Sequence, residues 1–234
     1  MTGMGTIVNA IAIIVGASIG LVCKRGIPEK WQETIVSVMA LSVLVIGIKM
    51  ALTGEDIVVS IMALVLGSMI GEWLDIDGAL QRFGLWVGEK MTSGKDATKA
   101  GKIAEGFVTA TLIYCVGAMA IVGSLEDGLR GEPGILYAKA TLDGIMAIIF
   151  TANMGFGVML SAVSVSIYQG VITLLAESLQ PIMSAPVLNQ ITAVGGIAIT
   201  ALAVTMLKLK EIRVANTLPA IIVAIVLIIV KGWL

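Results

Sequence analysis

The sequence predicts an all-α integral membrane protein of about eight transmembrane helices, and three observations carry that expectation. Of its 234 residues, 58% are hydrophobic and 13% charged, about half the roughly 25% charge of a soluble domain. Mean hydropathy is +1.02. Apolar runs recur along the whole length at the size that crosses about 30 Å of hydrocarbon, about 20 residues. No hydrophilic stretch is long enough for a separate soluble domain, so residues 1–234 read as a single polytopic membrane domain. Helices are the expected element because lipid leaves backbone polar groups no partner outside the segment.

The first span covers about 5–23. No Lys or Arg precedes it, whereas Lys24, Arg25 and Lys30 follow, the reverse of a signal peptide's charge order. It is expected to stay in the protein with its N-terminus outside. Asn9, Ala12, Gly16 and Gly20 share one face, and the two glycines form a small-xxx-small pair for close helix packing. The second span is about 33–52. The third, about 56–73, repeats the small-residue spacing with Ser60, Ala63, Gly67 and Gly71. Residues 76–91 form an amphipathic segment that, with Trp73 and Trp86, suits a helix at the membrane surface. A charged link leads to the fourth span, about 105–125, where Ala110, Gly117, Ala120 and Ser124 make a narrow seam.

The stretch 135–178 is too long for one helix. It divides at Asn153–Gly157 into a fifth span of about 136–152 and a sixth of about 157–177, with a broken or re-entrant element near 153–157 as the alternative. After Pro181 and Pro186 comes the seventh span, about 187–207, and after KLKEIR the eighth, about 214–230. Alternate loops hold three, five and three Lys or Arg residues. The other side has Arg130, Lys139 and Lys231. That asymmetry puts the basic loops in the cytoplasm and both termini outside. Shifting the sequence by 156 lays Ile35–Met50 over Ile191–Met206, a faint repeat of inverted sense such as secondary transporters use.

Composition also excludes chemistry. There is no histidine, which removes the commonest metal ligand and proton shuttle. Cys23 and Cys115 do not form a disulfide framework and read as packing residues. No basic cluster suits nucleic acid, and no Walker loop, dinucleotide fingerprint, HExxH or nucleophile elbow is present. No catalytic residue and no enzyme activity are expected.

The run YCVGAMAIVGSLEDGL, then KATLDG and GFGVMLSAVSVSIYQG, with the opening GTIVNAIAIIVGASIG and the closing VANTLPA, resembles the bacterial membrane family typified by YqgA and YdfK. The resemblance covers essentially the full chain. It implies a multi-spanning protein of the bacterial cytoplasmic membrane in a family whose function is unknown. The recurrent positions it marks are Asn9, Tyr114, Gly117, Glu126, Asp127, Gly128, Asp143, Gly144, Gln169, Gly170, Asn216 and Pro219.

Asp143 is the sharpest candidate. It falls about two turns inside the fifth span at about 1.5 Å per residue, a depth where a carboxylate is costly and marks an ion or proton site. The alternative is a headgroup position capping a helix. Glu126 and Asp127 close the fourth span on the same side. They read as a cation-attracting mouth or as a solvated loop, with Gly128 stopping the helix. Thr111, Tyr114 and Gln169 sit mid-span. Gln169 shares a face of the sixth span with Ser166 and Thr173, and Ser161, Ser164 and Tyr168 share another, as in a lined cavity. Asn153 and Asn216 lie near helix interruptions that could free carbonyls for Na⁺; Asn216 reads better as ordinary capping, and Asn153 fits either. The metal expected, if any, is a Na⁺ near Asp143 or Asn153. Lys49 is expected to snorkel.

These residues point to a secondary transporter of a small polar solute or ion, coupled to Na⁺ or H⁺ and needing no other cofactor. The alternatives are a passive channel and a non-transporting scaffold or signalling partner. The partners expected are the lipid bilayer, the solute and a second copy of the chain packed through the small-residue faces.

Overall fold

The computed structural model describes residues 2–24, 29–91, 97–115 and 118–231. Arg25, Gly117, Trp233, residues 92–96 of the charged link and the side chains of Lys24 and Lys30 lie outside the described residues. The order along the chain is α1 (Met4–Lys24), α2 (Glu29–Ala51), α3 (Ile57–Leu74), α4 (Ile76–Met91), α5 (Ala97–Cys115) and α6 (Ala118–Arg130). Then come α7 (Gly134–Met154), α8 (Gly157–Leu174), the short α9 (Ala176–Leu179), α10 (Ala185–Met206), a 3-10 turn (Val214–Thr217) and α11 (Pro219–Lys231). Among the described residues there is no strand. Seven helices have the length and apolarity to cross a membrane, and α5 with α6 makes an eighth crossing if the bent pair is one span. The outward faces carry Ile, Leu and Val, as at Ile7, Ile11 and Val15 of α1, which is the surface a lipid-facing helix presents.

Two compact units divide the chain. The first holds α1, most of α4, α5 to α8 and α9. Its α1 and α7 run parallel: Gly5 meets Leu136, Gly16 meets Gly144 and Ala147, and Gly20 meets Ile148 and Thr151. A methyl on Gly20 would stand 2.5 Å from the Ile148 carbonyl oxygen, so the small-xxx-small pair is what lets the two backbones touch. Helices α5 and α8 also run parallel, with Gly157 on Ile103, Gly106 on Val158 and Thr111 on Ser164.

Helix α5 starts at Ala97, earlier than the predicted fourth span, because the link is rich in helix formers and its alanines pack. Ala104 and Ala100 sit under Gly84 and Gly88 of α4. The predicted fourth span is divided between α5 and α6, which are inclined at 62° as a broken span or a re-entrant pair. Helix α6 runs through Gly128 to Arg130, and Gly131 ends it at φ +66° with its N–H on the Asp127 carbonyl. Gly128 is therefore a packing glycine rather than the stop; it faces Thr173 and Ala176. At 153–157 the two helices are complete and meet at Gly155, φ +82°, and Phe156.

The second unit holds α2 from Glu33, α3, the first turn of α4, α10, the 3-10 turn and α11. Here α3 and α11 run antiparallel, Gly67 against Ala220 and Gly71 against Asn216. Ala63, Val194, Ala220 and Ala224 form a core. Helices α2 and α10 also cross antiparallel, Gly47 on Thr200 and Gly196 on Ala51. Both pairs have the sense an inverted repeat requires, and all four helices share this one unit. Asp56 caps α3 by accepting from Val58 and Val59 N–H at 2.9 and 3.1 Å. The glycines of the small-residue faces of α1 and α3 thus pack against α7, α11 and the 3-10 turn within the chain.

Candidate functional site

The site is built in the first unit where α1, α7 and α8 meet. Asn9 is placed on the inner face of α1 by the close contact of Gly5, Gly16 and Gly20 with α7, and it is 0% exposed. Its Nδ2 donates to Asp143 Oδ2 of α7 at 3.0 Å and to Gln169 Oε1 of α8 at 3.3 Å. Gln169 is also 0% exposed. A residue that sequence reasoning only counted with the outer-side charges completes the cluster: Lys139 is 6% exposed and ion-pairs with the buried Asp143. The signal was present in the i, i+4 spacing of Lys139 and Asp143, which stacks the two on one helix face.

The Lys139 ammonium lies 5.9 Å from the Tyr114 ring centroid, and Tyr114 packs on Phe150 with centroids 6.4 Å apart. Tyr114 is 1% exposed. Three polar atoms of the cluster are buried with no hydrogen-bond partner: Asn9 Oδ1, Gln169 Nε2 and Tyr114 Oη. Such atoms are rare in folded proteins and call for a water, ion or ligand. The cluster therefore offers a donor, an acceptor, a phenol and an ion pair inside an apolar bundle.

The other expected residues fall elsewhere. Thr111 of α5 donates to Ser164 of α8 at 3.2 Å and ties those helices. Asn153 donates to the Ile149 carbonyl at 2.7 Å in its own helix. Asn216 lies in the second unit and caps: its Oδ1 accepts the Asp77 N–H at 2.7 Å, while Asp77 Oδ1 accepts the Ala215 N–H at 3.3 Å. This is capping of α4 rather than of its own helix. Glu126 is half-buried. Asp127 is 0% exposed, with Oδ2 accepting the Gly5 N–H at 3.0 Å, so it belongs to the interior and not to a solvated loop. Among the described residues no three or more His, Cys, Asp or Glu side chains gather in one place.

The two units differ in how their buried polar groups are served. In the second, Gln190 Nε2 donates to the Asp56 carbonyl at 2.9 Å and to Ser60 Oγ at 2.6 Å. Among the described residues, the only buried side-chain polar atom of that unit without a partner is Asn216 Nδ2. In the first unit they are many.

Fold and site define a polytopic helical membrane protein with a polar, partly unsatisfied interior. The chain belongs to the family described as a protein of unknown function, DUF554, whose model matches residues 4–229. It is 30% identical over 231 residues to the uncharacterized membrane protein YdfK of Bacillus subtilis (strain 168), across 97% of this chain and 96% of that one. It is 25% identical over 221 residues to the uncharacterized protein YqgA of Escherichia coli (strain K12), across 94% of each. No solved structure matches.

Proposed function

We propose that the chain is a secondary transporter of a small polar solute or ion in the bacterial cytoplasmic membrane, with both termini outside. The observation that supports it is the buried Lys139–Asp143 pair held by Asn9 and Gln169, with three orphaned polar atoms beside it. Desolvating two charges costs several kcal/mol per ion, and a hydrophobic pair of the same size would stabilise as well or better. A feature that stability does not require, at a depth where charge marks function, is the signature of a working site.

The pair also bears on the coupling ion. With the Lys139 ammonium on the Asp143 carboxylate, a Na⁺ at Asp143 would have to displace a covalently tethered cation. A proton need only break the pair. Protonating Asp143 frees Lys139 to meet the anionic group of a solute, and release of the solute together with the Asp143 proton restores the pair. Removing the buried Lys139 from the loop count sharpens the charge asymmetry that supports the orientation.

The test is reconstitution into liposomes enclosing a pH dye, challenged with a panel of amino acids and small organic acids under an imposed proton gradient. Solute-dependent, saturable proton movement in the wild type, lost in the Lys139→Gln/Asp143→Asn double variant, is expected. Movement that does not saturate would indicate a channel. A double variant that behaves as wild type would remove Asp143 from the mechanism.

A further inference from the structure

A second set of buried oxygen groups lies in the first unit where α1 begins and α6 ends. Asp127 is 0% exposed; its Oδ2 holds the Gly5 N–H, and its Oδ1 has no partner. Ser124, one turn back on the same face of α6, is 0% exposed. Thr6, next to Gly5 on α1, is 7% exposed, and Thr173, one turn beyond Gln169 on α8, is 5% exposed. The hydroxyl of each is buried and unpartnered. The three helices converge at this point. Asp127 reaches Gly5 of α1, and Gly128 lies on the Thr173 backbone, so close that a methyl there would be 2.5 Å from Ala176 Cβ.

Among the described residues no side-chain cation pairs with Asp127. The start of α1 contributes only about half a positive charge. Lys139 is engaged by Asp143, and Arg130 is exposed at the end of α6. A buried carboxylate oxygen and three hydroxyl oxygens are hard ligands, of the kind that hard cations take. A single carboxylate neutralises a monovalent ion, whereas a divalent one would leave net charge in a low-dielectric interior. We propose that Asp127, Thr6, Ser124 and Thr173 form a binding site for a small monovalent cation, Na⁺. The site is distinct from the Asp143 cluster and does not depend on whether the chain transports a solute.

The full-length protein in detergent, unfolded by heat in NaCl, KCl, CaCl₂ or choline chloride at equal ionic strength, tests it. A ligand that binds only the folded state raises the melting temperature with concentration. The wild type should gain stability with NaCl, less with KCl and none with choline. Asp127→Asn keeps an acceptor for Gly5 and should lose the Na⁺ response. Ser124→Ala, which leaves the cap intact should Asp127→Asn fail to fold, should shift the NaCl concentration needed by about tenfold, about 1.4 kcal/mol of binding. Lys139→Gln/Asp143→Asn should respond to NaCl like the wild type. Equal melting in NaCl and choline chloride overturns the site, as does a full Na⁺ response in Asp127→Asn or Ser124→Ala. A larger response to CaCl₂ overturns the monovalent assignment, and loss of the response in the Asp143 double variant relocates it.

Discussion

Breaking the Lys139–Asp143 pair one side at a time is the most direct test of the site's electrostatics. Both side chains are nearly buried, 8% and 10% exposed, so neither survivor has water to turn to. Removing one partner of a buried pair costs about 3–5 kcal/mol because an uncompensated charge remains. For a chain of 234 residues, each kcal/mol lowers the melting temperature by roughly 2–4 °C. Asp143→Asn and Lys139→Met should each therefore fall by roughly 6–20 °C. The double variant carries no stranded charge and should recover most of that loss, giving a coupling energy of at least about 2 kcal/mol between sites that would otherwise add. Tryptophan fluorescence during heating reads all four proteins. Losses that simply add would refute the pairing. So would an Asp143→Asn protein as stable as the wild type.

Three further outcomes are expected. Gly20→Leu should drive α1 from α7, costing about 1–3 kcal/mol or more as overpacking does, and chemical unfolding will show it. Gln190→Leu removes a donor to Ser60 and to the Asp56 carbonyl and should cost about 1–3 kcal/mol while leaving the solute and Na⁺ responses unchanged. The Lys231 ammonium bonded to Asp56, with the Val59 N–H, holds that carboxyl below its ordinary 3.8. A depressed value stabilises the fold above pH 3.8 and loses that support as pH falls through the lowered value. Asp56→Asn keeps a capping oxygen, so its small melting deficit at neutral pH should close in acid.

The lipid-crossing helices were legible because their physics is one-dimensional: length, apolarity and small-residue spacing act along a single segment. The amphipathic α4 falls on the predicted residues 76–91 for the same reason. Tyr114, Asp143 and Gln169 stood out as polar groups at membrane depth and Asn9 as a recurrent position on the small-residue face of the first span, but nothing local says which of them meet. Their convergence depends on α1 lying parallel to α7, a contact across more than a hundred residues. Lys139 was missed because a lysine one turn from a span end ordinarily snorkels to the interface. Only the neighbouring helices deny it that route. The bend between α5 and α6 was likewise hidden, while the division at 153–157 was legible: Gly155 takes the positive φ of the turn between two spans, and Gly157 packs on Ile103.

The parallel pairing of α1 with α7 also has a consequence in time. Parallel neighbours cannot come from one hairpin, so α1 is made 110 residues before Gly134 opens its partner. At about 5–20 residues per second of synthesis, α1 waits in the bilayer for roughly 5–20 s with Asn9 and its glycine face uncovered. Over that interval its polar face needs another companion: lipid headgroups, the insertion machinery or an earlier helix of the same chain. A substitution at Gly16 or Gly20 would therefore act on how the protein is assembled as well as on how it stands once complete.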